Sequence, residues 1–309
     1  MLHSYLCLFL LSACSLALAD EQASSDDLLV TTELVKLGKL SGDDLLSLVQ
    51  KQTFNYFWEG ADPHSGMALE RYHVGGKSSR RSRQVVTTGG SGFGLMVLLV
   101  GAERGFVSRK AVVERIVKIV GFLENADKFH GAWSHWLDGK SGKVVPFGSK
   151  DNGADLVETA FLTQGLLAVR QYLVSGNQSE RKLASRIDKL WREIEWDWFR
   201  NGGQNVLFWH WSPEHAWEKN HRIQGYDECL ITHVLAASAP THSIPPKVYH
   251  AGWARDGSIA NEVVKKKSGS LVLTLKHNGA GEKGGPLFWA HYSYLGLDPR
   301  GLKDRYAHY

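Results

Sequence analysis

Two neighbouring segments constrain the fold more than any other part of the chain. Ala154 to Val174 is apolar on almost every side (LVETAFLTQGLLAVRQYL), whereas Ser179 to Glu195 is charged along one face and apolar along the other. A helix that is apolar all round must be enclosed by other elements, and a one-sided helix lies at the boundary with water. The same helical periodicity predicts helices over Asp44 to Trp58, Gly94 to Arg104, Ser108 to Asn125, Ser179 to Trp198 and Arg222 to Ala237. Inner and outer helices joined by long loops build an α/α barrel, whose loops at one end carry the site. The expected fold class is therefore all-α, an (α/α)6 toroid. One small β-hairpin insertion is expected, pairing Ser258 to Val264 with Ser270 to Leu275 across KKKSG. Fewer helices can be read than six pairs require, and RGLKDRYAHY begins a further segment with no capping residue, so the toroid is expected to be incomplete at its C-terminal side.

The domain reading is a signal peptide at 1–19, a polar leader at 20–42 and the α/α-barrel domain at 43–309. MLHSYLCLFLLSACSLALA is too short to span a bilayer comfortably and reads as an export signal. Ala17-Leu18-Ala19 fits cleavage for soluble export, while Leu11-Ser12-Ala13-Cys14 fits a lipoprotein signal acylated at Cys14. The expected location is accordingly the periplasm, or the outer membrane through a lipid anchor. Cys229 is then the lone cysteine of the mature chain, which excludes an intrachain disulfide, and its place in an apolar stretch favours a core thiol over a nucleophile. A net charge of +4 over 309 residues is too mild for a nucleic-acid surface, and the short cluster Lys77, Arg80, Arg81 and Arg83 reads as a solvated loop. A monomer is expected.

Chemistry enters with the carboxylates at helix starts. Asp155 and Glu158 are three residues apart and share a helical face in a first turn, where free backbone N–H groups and the helix dipole favour negative charge. An acidic cap explains that much. Asp227 and Glu228 repeat the pattern ahead of another apolar run, and two such starts facing across a cleft would supply the opposed acid and base of glycoside hydrolysis. Eleven Trp, most of them between Trp133 and Trp289, strengthen the carbohydrate reading, because indole faces stack on sugar rings. Residues expected at substrate are Trp133, His135, Trp136 and Asp151 in the first acidic segment. FWHWSPEHAW contributes Trp209, Trp211 and Trp217, and the segment after the last glycine-rich loop contributes Trp289 and His291. Trp191, Trp196 and Trp198 are expected to be divided between core and surface.

His130, His135, His210, His215 and His221 form no HExxH or Cys/His pattern, so no metal and no cofactor is expected. Gly279 to Gly284 spells GxGxxG without a surrounding βαβ unit and reads as a loop, a candidate flap over Phe288 to Tyr292.

Four segments, TGGSGFGLMVLLVGAERG (88–105), DNGADLVETAFLTQGLL (151–167), YDECLITHVLAASAPTH (226–242) and GGPLFWAHYSYLGLDPRG (284–301), resemble the bacterial glycoamylase-like family. That family includes endo-β-1,2-glucanases and a related domain of cyclic β-1,2-glucan synthases. The resemblance implies an (α/α)6 barrel, no metal requirement, a glucan substrate and hydrolysis with inversion, with carboxyls roughly 6.5–9.5 Å apart. It places the acidic residues of interest on Asp155, Glu158 and Glu228, with Glu228 as proton donor and Asp155 or Glu158 positioning water or substrate. The competing expectations are a glycosidase acting on another glucan, α-linked ones included, and a non-catalytic glycan-binding protein.

Overall fold

The computed structural model describes residues 37–72, 84–281 and 284–309. The signal, Cys7, Cys14, most of the leader and the Lys77 to Arg83 cluster lie outside them. Two compact units divide at Gln50. In the first, Ser41 opens the helix α1 (Gly42–Trp58): its Oγ accepts from the Asp44 N–H at 3.1 Å and donates to the Asp44 carboxylate at 2.7 Å.

In the second unit, α2 (Thr88–Glu103), α3 (Arg109–Asn125), α4 (Leu156–Leu173), α5 (Gln178–Arg192), α6 (Leu230–Ser238), α7 (Pro246–Ala251) and α8 (Glu262–Ser268) carry the regular structure. The expected contrast between α4 and α5 is present. Twelve α4 residues are buried, among them Leu156, Val157 and every residue from Thr159 to Leu166, whereas α5 buries Glu180, Leu183, Ala184, Ile187 and Leu190 on one face. A reciprocal capping box starts α5: the Asn177 side chain accepts from Glu180 N–H, and the Glu180 carboxylate accepts from Asn177 N–H. In α3, Val112, Ile116, Ile119, Val120 and Leu123 form the stripe that helical period dictates, each burial contributing about 2 kcal/mol before entropy is counted.

The inner helices α2 and α4 meet backbone to backbone. A Cβ on Gly92 would lie 2.0 Å from the Phe161 carbonyl oxygen, and one on Gly165 would lie 2.1 Å from that of Gly92. Only glycine permits this approach. It sets α2 close enough for its first turn to reach side chains at the start of α4.

Among the described residues, nine strands of two or three residues sit between the helices. The sheet β1–β4–β5 pairs β4 (Trp136–Asp138) with both β1 (Val85–Thr87) and β5 (Val144–Val145); β2 (Lys128–Phe129) pairs with β3 (Ala132–Trp133). The pair β6 (Ala154–Asp155) and β8 (His210–Trp211) sets Asp155 opposite His210, and β7 (Leu207–Phe208) pairs with β9 (Arg222–Ile223).

Three sequence expectations need correction. The hairpin at 258–275 is absent: one bridge, Ala260 with Leu273, flanks the helix α8. Asn261 caps that helix by accepting from Val264 N–H, Lys265 to Lys267 occupy its negative end, and Gly269 leaves it at φ +73°, so local capping overrides the strand pattern. The helix expected from Arg222 begins only at Leu230, because Arg222 and Ile223 are consumed in β9 and Gly225 turns the chain at φ +80°. Conversely, α2 starts at Thr88, six residues ahead of expectation, since the glycines that argue against helix there serve its contact with α4. No helix among the described residues is long and apolar enough to cross a membrane.

A second, smaller apolar cluster of Tyr226, Leu230, Trp253, Ala254, Ile259 and Tyr306 underlies the C-terminal segment.

Candidate active site

The site is built where β6 runs into α4. Asp155 is the N-cap of α4: its Oδ1 accepts from the N–H groups of Val157 at 3.1 Å and Glu158 at 2.9 Å. Its Oδ2 meets His135 Nδ1 at 3.0 Å. The side chain is wholly buried, so these charge-assisted bonds replace water.

His135 lies between β3 and β4, and its carbonyl accepts from Thr88 N–H at 3.1 Å. Its Nε2 faces Glu158 Oε1 at 3.9 Å. Burial pulls the imidazole down, but the bond to Asp155 and the charges of Glu158, Asp155 and Asp151 outweigh it, lifting it to about 9. The other Glu158 oxygen, Oε2, accepts from Gly89 N–H at 2.9 Å at the start of α2, and a Cβ on Gly89 would come within 2.4 Å of that oxygen. Glu158 is raised to about 7: burial raises it, the His135 charge opposes, and Asp155 and Asp151 add to the rise.

Behind this pair, Asp151 and His210 are buried. His210 Nδ1 stands 3.4 Å from Asp151 Oδ1 and 3.7 Å from Asp155 Oδ2, and Lys219 Nζ donates to Asp151 Oδ2 at 2.8 Å. Burial opposes ionisation of Asp151, yet His210 and Lys219 together hold it down at about 2. Asp151, Asp155 and His210 present ligand atoms within 4.8 Å of one another. Their oxygens are already engaged by Lys219, His135 and two backbone N–H groups, and two side-chain cations already balance the carboxylates, so the donor set does not call for a metal.

The second acidic pair lies in the turn ahead of α6. Asp227 Oδ1 accepts from Cys229 N–H at 2.8 Å, and Asn278 Nδ2 donates to Asp227 Oδ2 at 3.2 Å. Burial raises Asp227 to about 6. Glu228 is half-buried and raised to about 7, by burial first and then by the charges of Asp227, Glu158 and Asp155. Its backbone is fixed from a distance: Ser293 Oγ donates to the Glu228 carbonyl at 2.7 Å and accepts from Ile231 N–H at 3.1 Å. The adjoining Tyr292 packs on Phe93 and Phe161, and its hydroxyl is raised by burial and by the charges of both Glu158 and Glu228. Cys229 is fully buried, and burial pushes its thiol far up, which makes it core rather than nucleophile or metal ligand.

A cavity of about 240 Å³ opens beside Glu158, His135 and Tyr292, lined also by Phe93, Phe161, Tyr56, Phe57 and Glu70 among others. A larger surface groove, about 470 Å³, lies between α4 and α5 around Arg170 and Asp188 and holds none of these carboxyls.

The expected substrate contacts divide. Trp133 is a correction: it is wholly buried, its indole N–H donates to the Leu123 carbonyl at 3.2 Å, and its volume fills the core. Trp136 is half-exposed beside His135, and the 49% exposed Phe147 stacks on the His135 ring at 4.1 Å. Trp209 stacks on His221 at 4.7 Å. Trp211 and Trp217 pack with Trp198 and His130 in a partly exposed aromatic wall. Trp289 leans on Tyr226 at 6.3 Å, and His291 is exposed. Of the helical tryptophans, Trp196 is buried and Trp191 and Trp198 are partly so. Gly281 and Gly284 form a bridge, and the two residues between them lie outside the described ones. Sequence reading missed Gly89, Phe147, Tyr292 and Ser293, and only the TGGSG run hinted at a close backbone approach.

A family model named Glycoamylase and described as "Putative glucoamylase" matches residues 220–309. The exo β-1,2-glucooligosaccharide sophorohydrolase (non-reducing end) of Parabacteroides distasonis is 44% identical over 87% of this chain. The solved endo-β-1,2-glucanase from Chitinophaga pinensis, in complex with sophorotriose and glucose, is 59% identical over 87% of the chain, with a TM-score of 0.81. A solved β-1,2-glucanase from Parabacteroides distasonis gives 44% identity and a TM-score of 0.76. The chain spans 38% of the length of the sophorohydrolase, 63% of the Chitinophaga structure and 39% of the Parabacteroides structure. With likeness at this level over 87% of its residues, this chain belongs to the glycoamylase-like family.

Proposed function

We propose that the chain is an exported glycoside hydrolase that cleaves β-1,2-glucan by inverting acid/base catalysis. One observation carries the reading: Glu158 lines an aromatic cavity and acts electrostatically on Glu228 from a separate helix start, and both carboxyls are raised to about 7. Carboxyls poised near neutrality are what general acid and base chemistry needs. Glu228, raised by burial and by the charges of Asp227, Glu158 and Asp155, gives its proton to the leaving oxygen. Glu158 and Asp155, on the His135 side, orient water or substrate. Trp136, Trp209, Trp211, Trp217 and Trp289 present apolar faces to successive glucose rings, while His135, Asp151 and His291 bond to hydroxyls or to the groups that do. The linkage is taken from the relatives, two of which are named as β-1,2-glucanases.

In this reading, α4 and α5 are an inner and an outer member of an (α/α)6 toroid, the carboxyls lie at one mouth of it, and the chain works as a monomer in the periplasm or anchored to the outer membrane.

The test is incubation of the purified chain with linear β-1,2-glucan and sizing of the products. Sophorose or longer β-1,2-linked fragments are expected, with inverted anomeric configuration by NMR of the fresh products. Glucose released from starch instead would redirect the assignment to another glucan. A glycan-binding role without turnover is the second reading, since the partly exposed aromatic wall of Trp198, Trp211 and Trp217 offers ring faces whether or not the carboxyls act. Binding of β-1,2-glucan by calorimetry with no products would establish it.

A further inference from the structure

His135 does more than line the cavity. Its ring is held on three sides: Asp155 Oδ2 lies 3.0 Å from Nδ1, Phe147 stacks on one face with centroids 4.1 Å apart, and the Trp136 ring stands edge-on at 5.8 Å. Asp155 cannot turn away, because its other oxygen caps α4 through two backbone N–H groups. Nδ1 therefore carries a proton toward Asp155, and Nε2 is aimed at Glu158 Oε1, 3.9 Å away. The opposite oxygen of Glu158 is pinned by Gly89 N–H.

We propose that His135 is a positioning residue that holds Glu158 in reach of its ionised form, with Asp155 as its clamp. In the kinetic part the inference rests on the hydrolase reading; in the electrostatic part it stands alone. The groups acting on Glu158 are His135 from the β3–β4 connection, Asp155 and Asp151 from the β6 side, and the Gly89 N–H from α2. Glu228 and Tyr292 face the same space from the α6 and C-terminal side. Burial, Asp155 and Asp151 all push the Glu158 proton on; the His135 charge pushes it off. Glu228 is acted on by Asp227, Glu158 and Asp155, all negative. Since the imidazole stays charged up to about 9, its pull on Glu158 persists across neutral pH.

Carboxyl-carbon NMR of the full chain labelled at glutamate tests this without substrate, the Glu158 signal being assigned by its loss in Glu158→Gln. In His135→Gln the Glu158 midpoint should rise by about one pH unit or more, a tenfold change in its proton affinity, while Trp136→Phe leaves it in place. Coupling is reciprocal, so the His135 midpoint should fall by a similar amount in Glu158→Gln, which covers the case in which His135→Gln fails to fold. A His135→Lys variant, which restores the charge, should return the Glu158 midpoint most of the way. On glucan, His135→Gln should lower kcat more than it raises KM. Glu158 and His135 midpoints that stay put in the reciprocal variants overturn the inference and leave the hydrolase reading intact. Coupled midpoints in a chain that does not turn over glucan overturn the hydrolase reading and leave the coupling intact.

Discussion

Asp155 to Glu158 and Asp227 to Glu228 look alike in sequence, carboxylates just ahead of an apolar helix, yet the fold treats them differently. The first pair is a built cap: Asp155 binds two N–H groups and His135, and Glu158 binds Gly89 N–H and faces the same imidazole. The second pair lies in an irregular turn before Cys229, where burial raises both carboxyls and further negative charge acts on Glu228. Ser293, from a distant turn, holds the Glu228 carbonyl in place of a local cap. Both glutamates are raised to about 7, Glu158 against the opposing charge of His135 and Glu228 with the added charges of Asp227, Glu158 and Asp155.

The largest effect expected from this contrast is on turnover. Glu228→Gln should abolish detectable glucan hydrolysis, a loss of at least about 10³-fold, with a melting temperature close to wild type; near-normal activity would sink its role as proton donor.

A comparable energy, but spent on folding, separates the two neighbouring tryptophans. Trp133→Ala opens a cavity in a closed core and should cost about 3–5 kcal/mol in denaturant unfolding, whereas Trp136→Ala should leave stability nearly unchanged and raise KM several-fold. A stable Trp133→Ala with a raised KM would place Trp133 at substrate instead of in the core.

Stability should also fall with rising pH by on the order of a few kcal/mol between about pH 5 and 9. His135, raised above its unfolded value of 6.5, contributes stability that is complete below that value and lost as pH rises through about 9. Glu158 and Glu228, raised above 4.5, favour the protonated fold, a contribution lost as pH rises through about 7; Asp227 behaves likewise through about 6. Asp151, lowered from 3.8, pulls the other way and loses its contribution only as pH falls through about 2; His221, lowered by burial, pulls the same way. Melting temperatures that climb steadily from pH 5 to 9 would contradict this balance.

The smallest difference should come from neutralising one aspartate at each start. Asp155→Asn removes a charge-assisted bond to His135 and should cost about 2 kcal/mol at pH 7, while Asp227→Asn, at a carboxyl that burial already disfavours as an anion, should cost about 0.5 kcal/mol. Equal costs would mean that the two starts are electrostatically alike after all.

Periodicity alone located α1, α3, α4 and α5 to within a few residues at most helix ends, and it separated the enclosed α4 from the one-sided α5, because each helix carries its own record of what it must face. It also singled out Asp155, since an N-cap is a local device that shows in local sequence. Strand-like composition misled at 258–275, where an Asn cap, lysines at the C-terminal end and a left-handed glycine make a short helix instead. Trp133 misled for the opposite reason: a tryptophan between acidic residues reads the same whether its indole meets sugar or the Leu123 carbonyl.

The sequence by itself determined a mostly helical chain with acidic helix starts and a surplus of aromatic rings, since those properties follow from spacing and composition within a few turns. Only the tertiary structure decided that the first turn of α2 reaches Glu158 through a glycine, that β6 and β8 lay His210 against Asp155, and that Ser293 fixes Glu228. Each of these joins residues more than fifty positions apart in the chain, and desolvation and charge at a carboxyl depend on what folds over it rather than on what precedes it.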